Sequence, residues 1–236
     1  MAPLAKAGAV LLAMDVTDPS AIAAGIARIE AEAGGLDVLI NNAGYGLFGP
    51  LAELDPQALH QQFATNVYAP LVLAQAALPL LHRRQGVIAN VGSVSGVLVT
   101  PFAGAYCSSK FAVHALSDAL RLELSPLGIR VVIIQPGAIR SAFGQVGNQA
   151  AVTLAPQSVY QRIAATVKAR AAMSQEDAVP AEALAAYVIP RLLQANPPAV
   201  LRFGPKSRLM PWVAKWLPVW WRDRILRRRF QLDGRW

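Results

Sequence analysis

Ser93-Val-Ser-Gly-Val-Leu-Val-Thr-Pro-Phe-Ala-Gly-Ala-Tyr106-Cys-Ser-Ser-Lys110 is the stretch that decides the fold of this chain. It follows a β-branched run at 87–91 that predicts a buried strand, and it leads into a helical pattern from Cys107. Ser93 therefore lies at the carboxyl end of a predicted strand, where open α/β sheets bind their ligands. Tyr106 and Lys110 are four residues apart at the start of the helix, so their side chains point the same way.

A phenol beside an ammonium group indicates acid–base chemistry. A free tyrosine titrates near pH ~10 and a nearby cation favours the phenolate, so we expect Lys110 to lower the pKa of Tyr106. We expect Ser93 to polarise a carbonyl group that Tyr106 protonates. Cys107 lies beside them, and we interpret it as a half-buried helix residue because Tyr106 and Lys110 explain the site without a thiol.

Strand and helix patterns alternate on both sides of this stretch. Strands are predicted at 9–14, 36–40, 87–91, 129–134 and 199–203. Helices are predicted at 19–33, 56–82, 107–124, 157–173 and 181–194. Asp18 before Pro19 predicts the start of the first helix, and Gly34 its end. This alternation predicts an α/β fold with a parallel sheet.

One glycine pattern imitates a nucleotide-binding loop. Gly44-Tyr-Gly46-Leu-Phe-Gly49 matches the dinucleotide fingerprint and follows a predicted strand. The true fingerprint opens directly into a helix, whereas Pro50 intervenes here and no Asp or Glu occurs between Leu59 and Leu78. We therefore interpret it as a chance match.

The motifs occur in an order that resembles the short-chain dehydrogenase/reductase family. Asn41-Asn-Ala-Gly44 and Asn66 precede Ser93 and the Tyr106-x-x-x-Lys110 pair, and Pro136-Gly137 follows them. The sequence Gly-Ser-Val-Ser-Gly around Ser93 resembles the motif of the hydroxysteroid dehydrogenase-like branch of the family. The resemblance covers about residues 7 to 205. It implies a three-layer Rossmann-type doubly wound parallel sheet and an oxidoreductase that uses NAD or NADP.

The resemblance also implies roles for individual residues. The catalytic set would be Asn66, Ser93, Tyr106 and Lys110. The cofactor would contact Asp15, Val16, Asn41, Ala43, Gly44, Tyr106, Lys110, Pro136, Gly137, Ile139 and Ser141. For the substrate wall we add Phe102 and Phe143 to Ser93 and Tyr106, as apolar side chains near the site. The segment 141–156 lacks periodicity and is expected to be a loop over the substrate.

Asn66 has a feature that can be derived from the sequence. Pro70, four residues later, has no N–H, so the Asn66 carbonyl loses its usual partner in the helix. From the residues alone, Pro70 could produce a simple kink in the helix, or it could free the Asn66 carbonyl to bind a ligand. The resemblance implies the second, with the carbonyl holding a proton-relay water behind Lys110.

The resemblance does not extend to the start of the family pattern. Members begin with a strand and a Thr-Gly-x-x-x-Gly-x-Gly loop, which belong to a βαβ unit that precedes the Asp15 motif. Such a unit needs about 30 residues, and only 14 residues precede Asp15 in this sequence. We therefore expect an N-terminally incomplete sheet with a gap beside the strand at 9–14. Two interpretations stay open: an active enzyme that is incomplete at its start, or a cofactor-deficient homologue that acts as a binding subunit. The residues that choose between NAD and NADP would lie in the absent part.

Composition and charge separate a neutral body from a basic tail. With 236 residues, 54% hydrophobic content and one cysteine, the chain predicts one catalytic domain at 1–205, no internal disulfide and a cytoplasmic location. No uninterrupted apolar run reaches the ~18 residues of a membrane span. The three histidines, His60, His82 and His114, show no metal-ligand spacing, so we predict no metal site.

The tail at 206–236 contains all five tryptophans. Between 202 and 236 there are ten basic and two acidic residues, a net charge of +8 that equals the charge of the whole chain. Either the tryptophans and arginines lie on an anionic membrane surface, or the aromatic rings pack over the substrate crevice while the arginines face water. We favour the second. Nucleic acid is not an expected partner, because the body offers no basic groove; the resemblance implies a homo-oligomer.

Overall fold

The computed structural model describes residue 6, residues 8–143 and residues 153–234, with only the backbone of Ser174. The six strands are β1 Val38–Asn41, β2 Val87–Val91, β3 Arg130–Pro136, β4 Ile139–Arg140, β5 Val179–Pro180 and β6 Val200–Phe203. The longer helices are α1 Pro19–Ala33, α2 Pro56–Phe63, α3 Ala69–Arg84, α4 Gly104–Glu123, α5 Ala164–Ala172, α6 Ala181–Leu192, α7 Leu209–Trp216 and α8 Val219–Arg229. A π-helical turn at Ala64–Tyr68 joins α2 to α3 without a break.

The main sheet has four parallel strands in the order β1-β2-β3-β6. Helix α6 covers one face through Val188 and Leu192, and α3 covers the other through Ala77 and Leu81. The β2 run alternates its side chains between these two layers, since Ala89 contacts the first and Ile88 the second. The predicted α/β fold with a parallel sheet is confirmed, and its three layers are those of a Rossmann-type domain.

The predicted ends of α1 are both present. The Asp18 carboxylate accepts a hydrogen bond from the Ser20 N–H at 2.8 Å, and Pro19 is the first helical residue. At the other end Gly34 has φ of 65°, which a glycine adopts without strain. The other predicted helices and the strands after residue 14 differ from prediction by a few residues, except that 157–163 is not α-helical and α5 starts at Ala164.

The predicted strand at 9–14 is wrong. These residues have no strand partner, and Val10 and Leu12 are exposed. A strand is stable only when a neighbour satisfies its backbone groups, and among the described residues β1 pairs with β2 alone. The segment instead turns its side chains toward α1, where Leu12 and Met14 line an apolar trough of about 310 Å³ beside β1.

The helical run Pro56–Arg84 is long and apolar enough to span a bilayer by length and composition alone. A search for uninterrupted apolar residues does not detect this run, because polar residues such as Gln75 interrupt it. Its apolar residues Ala74, Ala77 and Leu81 pack on the sheet beside Ile88. We interpret it as a core helix for that reason.

The basic tail folds back onto the body through one aromatic residue. Phe230, at the end of α8, is 2% exposed and packs with Phe102, Ile163 and Val167. The tryptophans do not share this packing: Trp212, Trp216, Trp220 and Trp221 are all exposed. The favoured arrangement, with the tryptophans packed over the substrate crevice, is therefore wrong for these four, and Trp236 lies outside the described residues.

Candidate active site

Ser93 lies where the sequence placed it, directly after β2. It begins a short 3-10 turn, Val94–Gly96, and its hydroxyl oxygen accepts a hydrogen bond from the Ser95 N–H at 3.0 Å. This cap holds the Ser93 side chain in one orientation at the carboxyl end of the sheet. Its hydroxyl lies close enough to the phenol of Tyr106 to lower the pKa of that phenol as a hydrogen-bond donor to the phenolate. The structure thus joins the two groups that were predicted to act on one carbonyl.

Tyr106 is buried in the first turns of α4. Its ring packs against Phe48 and Phe143, with centroid distances of 5.9 and 5.3 Å. Burial raises the pKa of Tyr106 to about 12, although the hydrogen bond with Ser93 and the charge of Arg170 lower it in part. The phenol is therefore protonated at neutral pH.

Lys110 does not lower the pKa of Tyr106 as expected. Its ammonium group lies 5.9 Å from the centre of the Tyr106 ring and donates a hydrogen bond to the Val91 carbonyl at 2.7 Å. Burial also lowers the pKa of Lys110 to about 8. The sequence showed that the two side chains point the same way, but it did not show that a β2 carbonyl would hold the lysine or that burial would dominate the tyrosine.

Asn66 lies in the π-helical turn, four residues before Pro70. Its side-chain amide donates to the Tyr45 carbonyl at 2.9 Å and to the Ser109 hydroxyl at 3.1 Å, and it accepts from the Tyr45 N–H at 3.1 Å. The side chain therefore ties the loop after β1 to α4. π-Helical turns inside α-helices are often found at functional sites.

Gly44 brings the loop after β1 next to this pair. A Cβ atom added at Gly44 would lie 2.9 Å from the Asn66 Oδ1 and 3.9 Å from the Lys110 Nζ. The position leaves no room for a side chain. Asn66, Lys110 and Gly44 thus meet in one place, behind the Ser93–Tyr106 pair.

Asn41 has a structural partner that the sequence did not reveal. Its Nδ2 donates to the Asn90 Oδ1 at 2.8 Å, and the Asn90 Nδ2 donates to the Ser117 hydroxyl at 2.9 Å. This buried chain joins β1, β2 and α4. The Asn41 Oδ1 is buried with no hydrogen-bond partner among the described residues.

The remaining predicted cofactor residues divide into two groups. Pro136 ends β3, Gly137 donates its N–H to the Phe203 carbonyl at 2.8 Å, and Ile139 lies in β4. These lie at the carboxyl end of the sheet; Ser141 follows on the surface. Asp15 is exposed, and hydrogen bonds from the Thr17 N–H and hydroxyl lower its pKa. Val16 and Ala43 line the trough beside β1.

The two predicted substrate aromatics occupy different environments. Phe143 contacts the Tyr106 ring, but Phe102 packs into the cluster with Tyr160 and Phe230, at centroid distances of 5.9 and 6.0 Å. Phe102 is 7% exposed. Its described contacts are therefore those of a core residue, and most of the predicted substrate loop, 144–152, lies outside the described residues.

Arg170 was missed by the sequence analysis. It is 8% exposed on α5, its guanidinium lies 5.1 Å from the centre of the Phe48 ring, and it donates to the Thr100 hydroxyl at 2.9 and 3.2 Å. The signal was its spacing from Ile163 and Val167, which places it on the buried face of the helix. Its positive charge lies close enough to lower the pKa of Tyr106.

His114, to which the sequence assigned no role, supports Ser93. Its Nε2 accepts a hydrogen bond from the Ser93 N–H at 3.3 Å. A Cβ atom at Gly92 would lie 2.2 Å from that nitrogen, so the ring fills the space that the glycine leaves. Burial, and next the charge of Lys110, lowers the pKa of His114 to about 4. The ring is therefore neutral at pH 7 and can accept the hydrogen bond.

We expect acid to destabilise the chain through His114. The unfolded histidine binds a proton near pH 6.5 and the folded one only near 4, so stability present above pH 6.5 is lost as the pH falls, by up to roughly 3 kcal/mol. Urea unfolding at pH 7 and pH 4.5 measures this loss. The His114→Gln variant should lose less over the same range, and His60→Gln, at an exposed position, should behave as the unchanged chain. An equal loss in all three would contradict the assignment.

Comparison with known proteins identifies the family of this chain. Residues 2–151 match the family model described as short chain dehydrogenase. The 3-ketodihydrosphingosine reductase of Bacteroides thetaiotaomicron is 31% identical over 210 residues, which cover 88% of this chain and 78% of the reductase. A crystal structure of a short-chain dehydrogenase from Streptomyces avermitilis superposes with a TM-score of 0.72 at 29% identity, covering 85% of this chain and 72% of that one.

A further solved structure contains a cofactor. It is a gluconate 5-dehydrogenase from Burkholderia cenocepacia in complex with NADP and tartrate, with a TM-score of 0.53, 28% identity and coverage of 56% of this chain and 52% of that one. The chain thus spans between about half and 78% of the length of these three proteins.

The chain belongs to the short-chain dehydrogenase family, a family of oxidoreductases. The similar proteins are diverse members of that family, so the hydroxysteroid dehydrogenase-like branch stays a prediction.

Proposed function

We propose that this protein is an NAD(P)(H)-dependent oxidoreductase that interconverts an alcohol and a ketone or aldehyde on an apolar substrate. The observation that carries the proposal is the grouping of four side chains: Ser93 lies close enough to Tyr106 to lower its pKa, the Lys110 ammonium lies 5.9 Å from the Tyr106 ring, and Asn66 bonds Ser109 on the same helix. The substrate would be steroid-, retinoid- or acyl-like. The 3-ketodihydrosphingosine reductase, named for a long-chain ketone, supports the acyl-like choice.

The residues around Tyr106 fit the nicotinamide half of a dinucleotide. The bare backbone of Gly44 lies against Asn66 and near Lys110, and the Lys110 ammonium can donate further hydrogen bonds besides the one to Val91. Pro136, Gly137, Ile139 and Ser141 lie along the same end of the sheet. When bound, the nicotinamide supplies or accepts the hydride.

Fewer residues suit the binding of the adenosine half of the dinucleotide. Val16, Asn41 and Ala43 line the trough beside β1, whose lining is mainly apolar, and Asp15 is exposed next to Val16. Within the described part of the chain no glycine-rich loop precedes β1 to hold the phosphates. The choice between NAD and NADP therefore stays open.

The chain's own residues would move one proton. In the reductive direction Tyr106 donates its phenolic proton to the carbonyl oxygen, and Ser93 stabilises the developing alkoxide through a hydrogen bond. A phenol with a pKa of about 12 is present in the acid form at neutral pH, which suits this direction. In oxidation Tyr106 is the base. Lys110 and the backbone carbonyl of Asn66 would return the proton from solvent.

Reduction of a carbonyl panel tests the proposal. The purified 236-residue chain is first titrated with NADPH and NADH, and reduced nicotinamide fluorescence reports binding. We expect micromolar binding of at least one cofactor, then oxidation of that cofactor by medium- and long-chain ketones but not by short polar ones.

The same proposal includes a cytoplasmic location, as the single Cys107 suggests, and a homo-oligomer, as in the family.

A second candidate is a non-catalytic binding subunit. The open edge of β1 and its apolar trough favour it, since they leave a surface where a ligand's phosphates would have few partners. This candidate predicts a folded chain, by circular dichroism, that binds neither cofactor and turns over no carbonyl. That result would reject the oxidoreductase proposal for this chain.

A further inference from the structure

The two tail helices expose large apolar side chains to solvent. Trp212, Trp216 and Trp220 are each about three-fifths exposed, between 59% and 63%. Single exposed apolar residues are common on protein surfaces, whereas several on adjacent helices mark an interaction site. We call this group the tryptophan face. Its members are Leu209, Trp212, Trp216, Val219, Trp220, Trp221 and Ile225.

Helical spacing groups these side chains. Leu209, Trp212 and Trp216 are spaced by three and four residues, so they share one side of α7. Only Leu217 and Pro218 separate α7 from α8. The rings of Trp220 and Trp221 stack at a centroid distance of 4.8 Å at the start of α8. The two helices thus present consecutive aromatic groups along one short stretch of surface.

The surface around the tryptophan face is strongly basic. Residues 202–236 carry ten basic and two acidic side chains, while the rest of the chain carries twelve of each. All fourteen carboxylate side chains lie among the described residues, yet of the nine basic residues of this segment that the structure describes, only Arg229 forms an ion pair, with Glu176 at 4.0 Å. The other eight form no ion pair with a described carboxylate. Their positive charge calls for an anionic partner outside the chain.

The tryptophan face is held rigidly on the body. The opposite side of α8 packs Leu226 and Phe230 against Phe102, and the Thr166 hydroxyl donates to the Gln231 Oε1 at 2.8 Å. Arg222 on α8 donates to the Ala214 carbonyl of α7 at 3.3 Å, which joins the two helices. These contacts keep the exposed rings from turning inward to bury themselves.

We propose that the tryptophan face docks on an anionic lipid bilayer. Tryptophan rings favour the boundary between headgroups and acyl chains, and arginine side chains beside them pair with anionic headgroups. Lys215, whose ammonium lies 4.9 Å from the Trp216 ring, illustrates this pairing of cation and aromatic group at the surface. A nucleic acid would need a basic groove, and the neutral body provides none. The proposal does not depend on the oxidoreductase activity.

Cosedimentation of the full chain with vesicles tests the proposal. Neutral phosphatidylcholine vesicles are compared with vesicles that contain phosphatidylserine or phosphatidylglycerol, and the emission maximum of the tryptophans is recorded. We expect tight binding and a blue shift with the anionic vesicles only. The Trp216→Ala/Trp220→Ala pair should weaken binding at least about tenfold, and Arg227→Gln/Arg228→Gln about fivefold for each charge.

Point variants are preferred to removal of the tail, because Phe230 belongs to the core. Leu122→Ala is the matched control: Leu122 is 67% exposed on α4, outside the tryptophan face, and its loss should leave vesicle binding unchanged. Equal binding by the double tryptophan variant and the unchanged chain would overturn the proposal. So would equal binding to neutral and anionic vesicles, or tighter binding to a single-stranded oligonucleotide than to vesicles.

Discussion

The Tyr106→Phe variant should lose nearly all turnover, with kcat/KM reduced between about 10²- and 10⁴-fold, while it keeps its fold and its affinity for the cofactor. The phenol lies beside Ser93 and is protonated at neutral pH, since burial raises its pKa to about 12, so it can give a proton to the substrate oxygen. Phenylalanine keeps the ring contacts with Phe48 and Phe143. Steady-state rates with the best carbonyl substrate, beside cofactor titration, measure both quantities.

The matched control is Tyr68→Phe, which removes a hydroxyl from a tyrosine that is 49% exposed on the π-helical turn. Its rate should stay within about twofold of the unchanged chain, since exposed substitutions rarely change function or stability. Near-normal turnover by Tyr106→Phe would show that another group supplies the proton. A parallel loss of cofactor binding would instead assign Tyr106 to binding.

The Gly137→Ala variant should be destabilised by about 3 kcal/mol, the largest effect on stability that we expect from a single methyl group. A Cβ atom at Gly137 would lie 1.8 Å from the Pro205 carbonyl oxygen and 2.9 Å from its carbon, and a backbone cannot swing aside as a side chain does. The same glycine donates its N–H to Phe203 at 2.8 Å. The ends of β3 and β6 would be forced apart. Urea unfolding midpoints measure the change.

Gly104→Ala is the comparison for this effect. At that position the nearest atom to the new Cβ would be the Leu51 Cδ2 at 3.1 Å, the far end of a flexible side chain, and the residue is the first of α4. Alanine favours the helix, so stability should change by no more than about 1 kcal/mol. If both variants shifted the midpoint equally, the contact with Pro205 would have relaxed at no cost.

Gly137 also shows the limit of arguing from a resemblance. The family pattern assigns it to the nicotinamide, but the approach of Pro205 requires a glycine there whether or not a ligand binds. The sequence shows a glycine directly after the predicted strand at 129–134. It does not show whether the nicotinamide or the Pro205 carbonyl requires that glycine, because Pro205 is distant in the chain and no local pattern reports the contact.

The local patterns were predicted well. Asp18 and Gly34 mark the ends of α1, the β-branched runs form β2 and β3, and the four-residue spacing places Tyr106 and Lys110 on the same side of α4. Each of these depends on residues close together in the chain. They therefore follow from backbone geometry and side-chain periodicity.

Long-range properties were predicted poorly. The run at 9–14 has the composition of a buried strand, but a strand also needs a neighbour, and composition does not report one. The pKa of Tyr106 rises because the ring is enclosed by Phe48 and Phe143, 58 residues earlier and 37 later in the chain. His114 and Arg170 act through partners 21 and 70 residues away. No spacing rule connects such pairs.

The trough beside β1 has a consequence for how the molecule opens. Helix α1 is attached to the body through the buried Ile22 and through Ile26, whereas its polar contacts are exposed: the pair Glu30–Arg83, and Arg83 and Arg84 on the carbonyls of Gly34 and Ala33. Exposed ion pairs contribute about 0–1 kcal/mol each, and the trough separates part of the apolar side of α1, including Ile29, from β1. We therefore expect residues 8–37 to exchange their amide protons and to admit a protease before the β2–β3 core unfolds.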